Sequence, residues 1–234
     1  IRSKTVGNRA FLQCTALKSV TFMNDVDVIG INAFAACTGL TQVTFNGSVY
    51  KIDSAAFYKC SGLTSITLPA GLTILGAYVF SDCANLKTIK ISSGALLTDV
   101  NMSALFNDNL QAPIQSFVVE NGNKYLSSED GVLFDRGKKR LVAYPFGKTS
   151  TSYKIPDGVK TISTGAFSNV LNLETIDLNQ VEFIESYAFA YARSYTYTNG
   201  SVALLGITNY QNVKHIGTGA FLSANITELP ISEN

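Results

Sequence analysis

The sequence repeats itself with a fixed period of 23 residues. Phenylalanine recurs at this interval, a cysteine follows each phenylalanine after three residues, and a leucine follows each cysteine after three more. The columns are Phe11, Phe34, Phe57 and Phe80; Cys14, Cys37, Cys60 and Cys83; and Leu17, Leu40, Leu63 and Leu86. A constant period between about 20 and 50 residues is the signature of a solenoid or an array. The period therefore predicts a stack of similar coils, each too small to bury its apolar residues alone.

Each repeat contains two kinds of segment. In the first, apolar residues alternate with polar ones, as in Val20, Thr21 and Phe22, and this pattern predicts a short strand with its apolar side chains inward. In the second, Ala-Phe-x-x-Cys, the apolar residues have helical spacing, which predicts a short helical turn on the other side of the coil. The predicted fold class is an α/β repeat that is mostly β.

The four cysteines occupy equivalent places in successive repeats. Stacked coils lie about 4.8 Å apart, which is within disulfide range, but equivalent side chains point in parallel and fit the bond poorly. One column of thiols also cannot form the tetrahedral ligand set of zinc. We interpret the cysteines as a buried column of small apolar thiols, and we expect no metal and no cofactor.

The repeats are regular over residues 1–92 and irregular over 93–154. In the irregular coil, Leu105 or Phe106 takes the place of the phenylalanine. Two apolar segments, 131–134 and 141–144, then flank a polar connection that contains Gly137, which predicts an inserted β-hairpin that pairs with the solenoid edge or projects from it. The repeats resume over 155–234, with an insertion near 193–211. We predict a single domain over 1–234.

The pattern Ile-Gly-x-x-Ala-Phe-x-x-Cys-x-x-Leu-x-x-Val-x-Phe, read from Ile29 to Phe45, resembles the BspA-like leucine-rich repeat family. The segment from Phe117 to Pro156 is similar to an insert of that family. The resemblance implies a leucine-rich repeat solenoid from a cell-surface or secreted protein, because the family consists largely of such bacterial proteins, with relatives in mucosal parasites. It also implies an adhesive or ligand-binding surface, without specifying the ligand.

Charge and hydropathy restrict the partners. The formal net charge is +1, which gives no electrostatic reason to expect binding to nucleic acid or to an anionic membrane. No run of about 18 apolar residues occurs, so membrane insertion is not expected. Because the first residues fall inside a repeat and the last ones just past a predicted strand, we expect the chain to be shorter than the gene product.

Tyrosines are concentrated in and beside the insertion near 193–211. Tyrosine combines apolar area with a polar tip and suits the binding of protein or sugar. The tyrosines also have a structural interpretation, in which they cover the end of the core. The candidate ligand-binding residues are Tyr187, Tyr191, Tyr195, Tyr197 and Tyr210.

Two other surfaces are weaker candidates. The predicted hairpin tip carries Arg136, Lys138, Lys139 and Arg140, which could hold an anionic partner or simply be solvated. The predicted strand face carries many threonines and some lysines, and solenoids use such a face to bind extended partners. Threonine is also a good strand residue, and none of these residues stands out.

The sequence favours a non-enzymatic function. The single histidine, His215, occupies a place that holds Val28, Lys51 or Thr161 in other repeats, which indicates a surface position. Acidic pairs such as Asp25/Asp27, Glu129/Asp130 and Glu182/Glu185 are typical of solvated loops, although paired carboxylates could run a glycosidase. We therefore expect an exported module that binds a host or extracellular protein or glycan; the alternative is a structural spacer or display scaffold.

Overall fold

The computed structural model describes residues 1–100, 105–106, 114–192 and 205–226. Within these ranges the chain forms eighteen short strands. The strands are β1 (Thr5–Val6), β2 (Ser19–Phe22), β3 (Val26–Ile29), β4 (Gln42–Phe45), β5 (Val49–Ile52), β6 (Ser65–Leu68), β7 (Ile74–Leu75), β8 (Thr88–Ile91), β9 (Ser116–Val119), β10 (Leu126–Glu129), β11 (Val132–Asp135), β12 (Arg140–Ala143), β13 (Ser152–Lys154), β14 (Thr161–Ile162), β15 (Thr175–Asp177), β16 (Phe183–Ile184), β17 (Gly206–Thr208) and β18 (His215–Ile216).

Each coil of the solenoid has three sides. Face A contains β2, β4, β6, β8 and β9 and, after the insert, β13, β15 and β17. Face B contains β1, β3, β5 and β7, and then β12, β14, β16 and β18. The turn face carries the Phe-x-x-Cys segments. Coils pair in parallel, and in the first coils the register advances by 23 residues, with Val20 opposite Val43 and Val28 opposite Lys51. The repeat solenoid predicted from the sequence is thus confirmed.

The predicted face A strands are also confirmed. In β2, Val20 and Phe22 point inward and are buried, whereas Thr21 between them is partly exposed. The same alternation recurs in β6, where Ile66 and Leu68 are buried. Alternation positions one row of apolar side chains per strand in the interior, and parallel stacking extends each row along the solenoid.

The predicted helical turn is wrong. The turn face consists of successive tight turns in which two residues, four apart, have a left-handed backbone, as at Asn32 (φ 55°) and Ala36 (φ 57°) on either side of Phe34. The intervening amides bond within the coil, for example Cys37 N–H to Phe34 O at 3.1 Å. The alternate amides bond to the next coil, and Phe34 N–H donates to Ala56 O at 2.8 Å.

These alternating bonds explain why the helix does not form. A helix satisfies its amides internally and would leave the turn face with no backbone bonds between coils. The left-handed residues cost on the order of 1 kcal/mol each, but they turn every second N–H toward the neighbouring coil. The i, i+3 apolar spacing is common to a helix and to successive turns, so the sequence pattern was compatible with both.

The core is organised around a column of stacked aromatic rings. Phe34 stacks on Phe11 with ring centroids 5.0 Å apart, and on Phe57 at 5.4 Å. The column continues through Phe80 to Phe106, which confirms that the irregular coil places a phenylalanine there. In the second half it runs from Tyr144 through Phe167, Phe189 and Phe221, with each ring stacked on the next.

Three of the four cysteines form the predicted buried column. The Cys37, Cys60 and Cys83 thiols donate to the carbonyls of Phe11, Phe34 and Phe57 in the preceding coil, at 3.0 to 3.2 Å. All four thiols are free. The prediction is wrong for Cys14, which is exposed because it lies in the first described coil and no coil covers it.

Thiol reactivity should follow this division. Burial raises the pKa of the Cys37 and Cys60 thiols and raises that of Cys83 to about 12, so none of the three forms a thiolate near neutral pH. An aromatic disulfide reagent should therefore label one thiol in the folded chain and all four in denaturant. The variant Cys14→Ser should show no rapid labelling. Rapid labelling of two or more thiols in the folded chain would contradict the buried column.

Gly30 lies where two coils touch. A Cβ added there would be 2.5 Å from Asn8 Oδ1 and 2.9 Å from Val6 O, whereas a Cβ at Gly7, the equivalent place in the first coil, would meet nothing within 4 Å. We expect Gly30→Ala to lower the free energy of unfolding by about 1–3 kcal/mol through overpacking. Gly7→Ala should be neutral or slightly stabilising. Urea denaturation of both variants measures the difference. Equal midpoints would show that Gly30 does not pack closely against Val6 and Asn8 of the preceding coil.

The insert continues the solenoid and does not project from it. β10, β11 and β12 form an antiparallel meander, and β12 pairs in parallel with β14, so the predicted hairpin is confirmed and joins face B. The β10–β11 turn has positive φ at Asp130 and Gly131, as a two-residue hairpin turn requires.

Asn123 fixes the start of the insert against the preceding coil. Its side chain is fully buried. Its Nδ2 donates to Ser92 O at 2.9 Å and Ala95 O at 3.1 Å, and its Oδ1 accepts from the amides of Tyr125 and Leu126 at 3.0 and 2.9 Å. One amide side chain therefore completes four backbone groups at the junction.

Candidate functional site: a groove on face A

The parallel sheet of face A is interrupted between β4 and β6. β2 and β4 form one sheet, and β6, β8 and β9 form another, although the four strands β2, β4, β6 and β8 come from consecutive coils. On face B the corresponding strands β3, β5 and β7 pair without a break. The interruption is therefore a local feature of face A and not a separation of the coils.

Pro69 lies at one end of the interruption and lacks the donor that this place in the coil normally supplies. At this place in the coil the amide normally donates to the preceding coil: Asn46 N–H donates to Phe22 O, and Ser92 N–H donates to Leu68 O. The equivalent donor to Phe45 O would be residue 69, and proline has no N–H. The ladder thus loses a bond at the point where β4 and β6 would join.

The break leaves backbone groups without ladder partners. In a parallel sheet, alternate residues of a strand bond to opposite neighbours. Asn46 bonds back to β2, so the N–H and C=O groups of Val43 and Phe45 face β6. By the same register, those of Ser65 and Thr67 face β4. The break therefore presents two facing rows of donors and acceptors.

The break also exposes part of the core. Val43 and Phe45 belong to the same inward rows as Val20, Phe22, Ile66 and Leu68, which are at most 6% exposed. Val43 and Phe45 are only half-buried. Phe45 still stacks on Phe22 with ring centroids 4.8 Å apart, so its other side faces the break.

A groove of about 680 Å³ opens here and extends along the bend between faces A and B. Small residues from successive coils form its floor, among them Gly47, Ser48, Ala70 and Gly94. They are required by close packing, since a Cβ at Gly94 would lie 2.8 Å from the Ala70 Cβ. The groove reaches from Asp25 in the first coil to Glu120 in the fifth, roughly 19 Å at the usual strand spacing.

The two charged residues that line the groove, Asp25 and Glu120, are both acidic. Asp25 Oδ1 accepts from Ser48 N–H at 2.7 Å, and Glu120 Oε2 accepts from Ser93 N–H at 2.9 Å, so both carboxylates are held in place by the floor. Of the described residues that line the groove, none is a lysine, an arginine or a histidine. The two ends of the groove thus repel anions.

A smaller groove lies beside Pro156, which occupies the same place in its coil as Pro69. Its volume is about 320 Å³, and its lining includes Glu129, Asp130 and Tyr153. Burial raises the pKa of the Tyr153 hydroxyl above its ordinary value, which makes this tyrosine a hydrogen-bonding group and not an acid at neutral pH. The sheet of face A is also interrupted here, between β9 and β13.

The described tyrosines of the predicted site do not form one cluster. Tyr187 and Tyr191 lie on the turn face at left-handed positions, and Tyr187 is 43% exposed while Tyr191 is partly buried. Tyr210 lies at the bend after β17 and packs against the core. Tyr195 and Tyr197 lie outside the described residues.

Several residues of the basic turn and of the acidic pairs form ion pairs with other strands or coils. Lys138 pairs with Glu129, and Arg140 Nη2 lies 3.2 Å from Glu185 Oε1. Glu182 accepts from the ammonium groups of Lys160 and Lys214 at 2.8 and 2.7 Å, and these contacts lower its pKa to about 2. His215 is exposed on β18 opposite Phe183, as expected of a surface position.

The described residues contain no group of three or more His, Cys, Asp or Glu side chains arranged to hold a metal ion. Within the same part of the chain, no helix has the length and hydropathy needed to span a membrane.

The parallel coils, the 23-residue register and the stacked phenylalanines together define a leucine-rich repeat solenoid. The chain belongs to the BspA-type leucine-rich repeat family, whose repeat-region model matches six copies over residues 4–129 and 139–234. The match indicates a repeat scaffold and no catalytic family. A search of curated proteins gave no match.

Several solved structures of bacterial leucine-rich repeat proteins are similar to this chain. A protein from Eubacterium ventriosum aligns with a TM-score of 0.61 and 20% identity, over 99% of this chain and 83% of its own length. The pneumococcal vaccine antigen PcpA aligns with a TM-score of 0.53 and 24% identity, over 87% and 59%. A leucine-rich cell surface protein from Faecalibacterium prausnitzii aligns with a TM-score of 0.51 and 27% identity, over 88% and 58%. The chain thus spans about three fifths of the last two proteins.

Proposed function

We propose that this chain is the ligand-binding part of an exported, non-enzymatic surface protein, and that its ligand is a host or extracellular protein or glycan. The observation that carries the proposal is the groove on face A, which lies at the break between β4 and β6 and is lined by a half-buried phenylalanine. Sites of this kind, concave and partly apolar with a few polar groups, are typical of binding sites.

The family supports the cellular setting. The chain is a BspA-type repeat region, and a similar structure is a leucine-rich cell surface protein. A non-enzymatic role agrees with the state of the acidic pair Glu182/Glu185 beside face B, since both carboxylates are tied to cations of other coils. A carboxylate pair engaged in this way is a poor acid–base pair.

The tyrosines near the insertion provide a second candidate surface for the same function. Tyr187 exposes a large part of its ring on the turn face, and its ring packs over Gly219 of the next coil. A rigid, exposed tyrosine is a common anchor in protein interfaces. This surface is on a different side of the coil from the groove.

Binding arrays test the proposal. The purified chain is applied to extracellular-matrix proteins and glycans, beside a variant in which Tyr191, Tyr195, Tyr197 and Tyr210 are changed to serine. Binding by the parent chain supports the proposal. Loss of binding in the folded variant assigns the site to the insertion, and retention assigns it to the groove or to another part of the solenoid. Failure of the parent chain to bind any array member would contradict the proposal and favour a spacer or display scaffold.

A further inference from the structure

We infer that the face A groove binds a neutral oligosaccharide, through hydroxyl groups that bridge the unpaired backbone edges of β4 and β6. The inference rests on the proposed function and specifies its site and its class of ligand. Three properties of the groove lead to it: its hydrogen-bonding groups, its charge and its apolar wall.

The hydrogen-bonding groups are mixed. The backbone of Val43 and Phe45 on one side and of Thr67 on the other offers both N–H donors and C=O acceptors toward the break. A ligand that satisfies both kinds must donate and accept at closely spaced positions. The hydroxyl is the group that does both from one atom, and oligosaccharides carry hydroxyls in dense rows.

The charge of the groove selects among such ligands. Asp25 and Glu120 stand at its two ends, and its described lining has no cation to offset them. Phosphate, sulfate and uronate groups would be repelled, and nothing would replace their solvation. The carboxylates instead suit neutral sugars, since each can still accept a hydrogen bond from a hydroxyl.

A wall of the groove adds apolar area. Phe45 is held in a fixed orientation by its stacking on Phe22, and Val43 and Pro69 lie beside it. The C–H faces of sugar rings can pack on such a surface while their hydroxyls point toward the strand edges. Asn46 projects at the same place and provides an amide group.

An extended basic peptide is the competing ligand, because strand edges also bind peptide backbones. It fits less well because a strand inserted between two edges needs them two strand spacings apart, roughly 9.6 Å, whereas Cα atoms of β4 and β6 approach within 8 Å. In this groove the two edges face each other across the break. The experiment includes this ligand as a separate arm.

The test uses the full chain and three variants. Thr67→Arg blocks the groove from an outward-facing, partly exposed position that lines it. Thr21→Arg is its matched control, because Thr21 has the same outward position on β2 and does not line the groove. Pro69→Ser restores the amide that Ser92 supplies in the next coil, so that β6 can join β4.

Binding is measured on arrays of neutral glycans, sulfated and uronate-containing glycans, lysine-rich peptides and extracellular-matrix proteins. We expect binding to neutral glycans, a loss of affinity of about tenfold or more in Thr67→Arg and Pro69→Ser, and unchanged affinity in Thr21→Arg. Circular dichroism checks that each variant is folded, and a variant that fails this check is replaced by Thr44→Arg, which lines the other side of the groove.

The outcomes separate the inference from the proposed function. Neutral-glycan binding that survives in folded Thr67→Arg and Pro69→Ser would overturn the groove as its site. Binding confined to charged glycans, peptides or matrix proteins would overturn the ligand class and leave the proposed function standing. Absence of binding on every array would overturn both.

Discussion

Replacing Phe57 with alanine should lower the free energy of unfolding by about 3–5 kcal/mol, the usual cost of removing a buried phenylalanine. Phe57 is fully buried and stacks between Phe34 at 5.4 Å and Phe80 at 6.1 Å. Its removal leaves a cavity in the middle of the aromatic column, and the backbone bonds of the turn face hold the neighbouring coils in place, which limits collapse around it.

Phe11→Ala is the matched control. Phe11 stands at the first place of the same column, is only partly buried and stacks on Phe34 alone. We expect a loss of about 1–2 kcal/mol, since fewer contacts are removed and solvent can fill the space. Urea denaturation followed by circular dichroism measures both variants. Equal losses for Phe57→Ala and Phe11→Ala would contradict the continuous column.

Replacing Asn123 with aspartate should be among the most damaging polar substitutions in the chain. The new oxygen would face the carbonyls of Ser92 and Ala95, to which the Asn123 amide now donates. A buried anion beside two acceptors is unfavourable, and the loss at pH 7 should be about 3 kcal/mol or more.

The effect of Asn123→Asp should depend on pH in a defined direction. Because the folded site disfavours the charged form, the pKa of the new carboxyl rises above its unfolded value of about 3.9. The variant should therefore be nearest to the parent below that value and should lose stability as pH rises above it.

Asn123→Ala is the control, because it removes the same four hydrogen bonds without adding a titratable group. The free energy of unfolding that Asn123→Ala loses relative to the parent should be the same at about pH 3.5 and about pH 7. The first value is close to the unperturbed pKa of an aspartate carboxyl, and the second is well above it. If Asn123→Asp and Asn123→Ala showed the same pH dependence, the two carbonyls would not face the residue 123 side chain.

The sequence is sufficient to predict the coils because parallel stacking determines both the repeat period and the packing of the core. Parallel stacking brings equivalent residues into contact, so Phe34 and Phe57 must both be large and apolar, and the 23-residue interval follows. The same reasoning predicted the inward row of Val20 and Phe22 and the exposed place of His215.

The turn face could not be predicted from spacing. An i, i+3 pair such as Phe34 and Cys37 lies on one side of a helix and equally on one side of successive turns. What decides between them is the bond from Phe34 N–H to Ala56 O in the next coil, and a pattern within one repeat does not contain that information.

The candidate sites show a similar limit. Tyr187 and Tyr210 are both tyrosines beside the insertion near 193–211, which is why the sequence groups them. The coil nevertheless places Tyr187 on the turn face and Tyr210 at a bend. The groove had a signal in the sequence, since Pro69 stands where Asn46 and Ser92 stand in adjacent repeats. The alternating pattern of Ile66, Thr67 and Leu68 continues up to that proline, so the pattern alone indicates an ordinary strand.

Residue-resolved amide exchange by NMR tests the open break at Pro69 most directly. We predict that the Phe45 and Thr67 amides, which face the break, exchange about a hundredfold faster than the Thr44 amide, which belongs to the β2–β4 ladder. In Pro69→Ser, the Phe45 and Thr67 amides should become protected to the level of Thr44. Phe45 and Thr67 amides that are already as protected as Thr44 in the parent chain would contradict an open edge on face A.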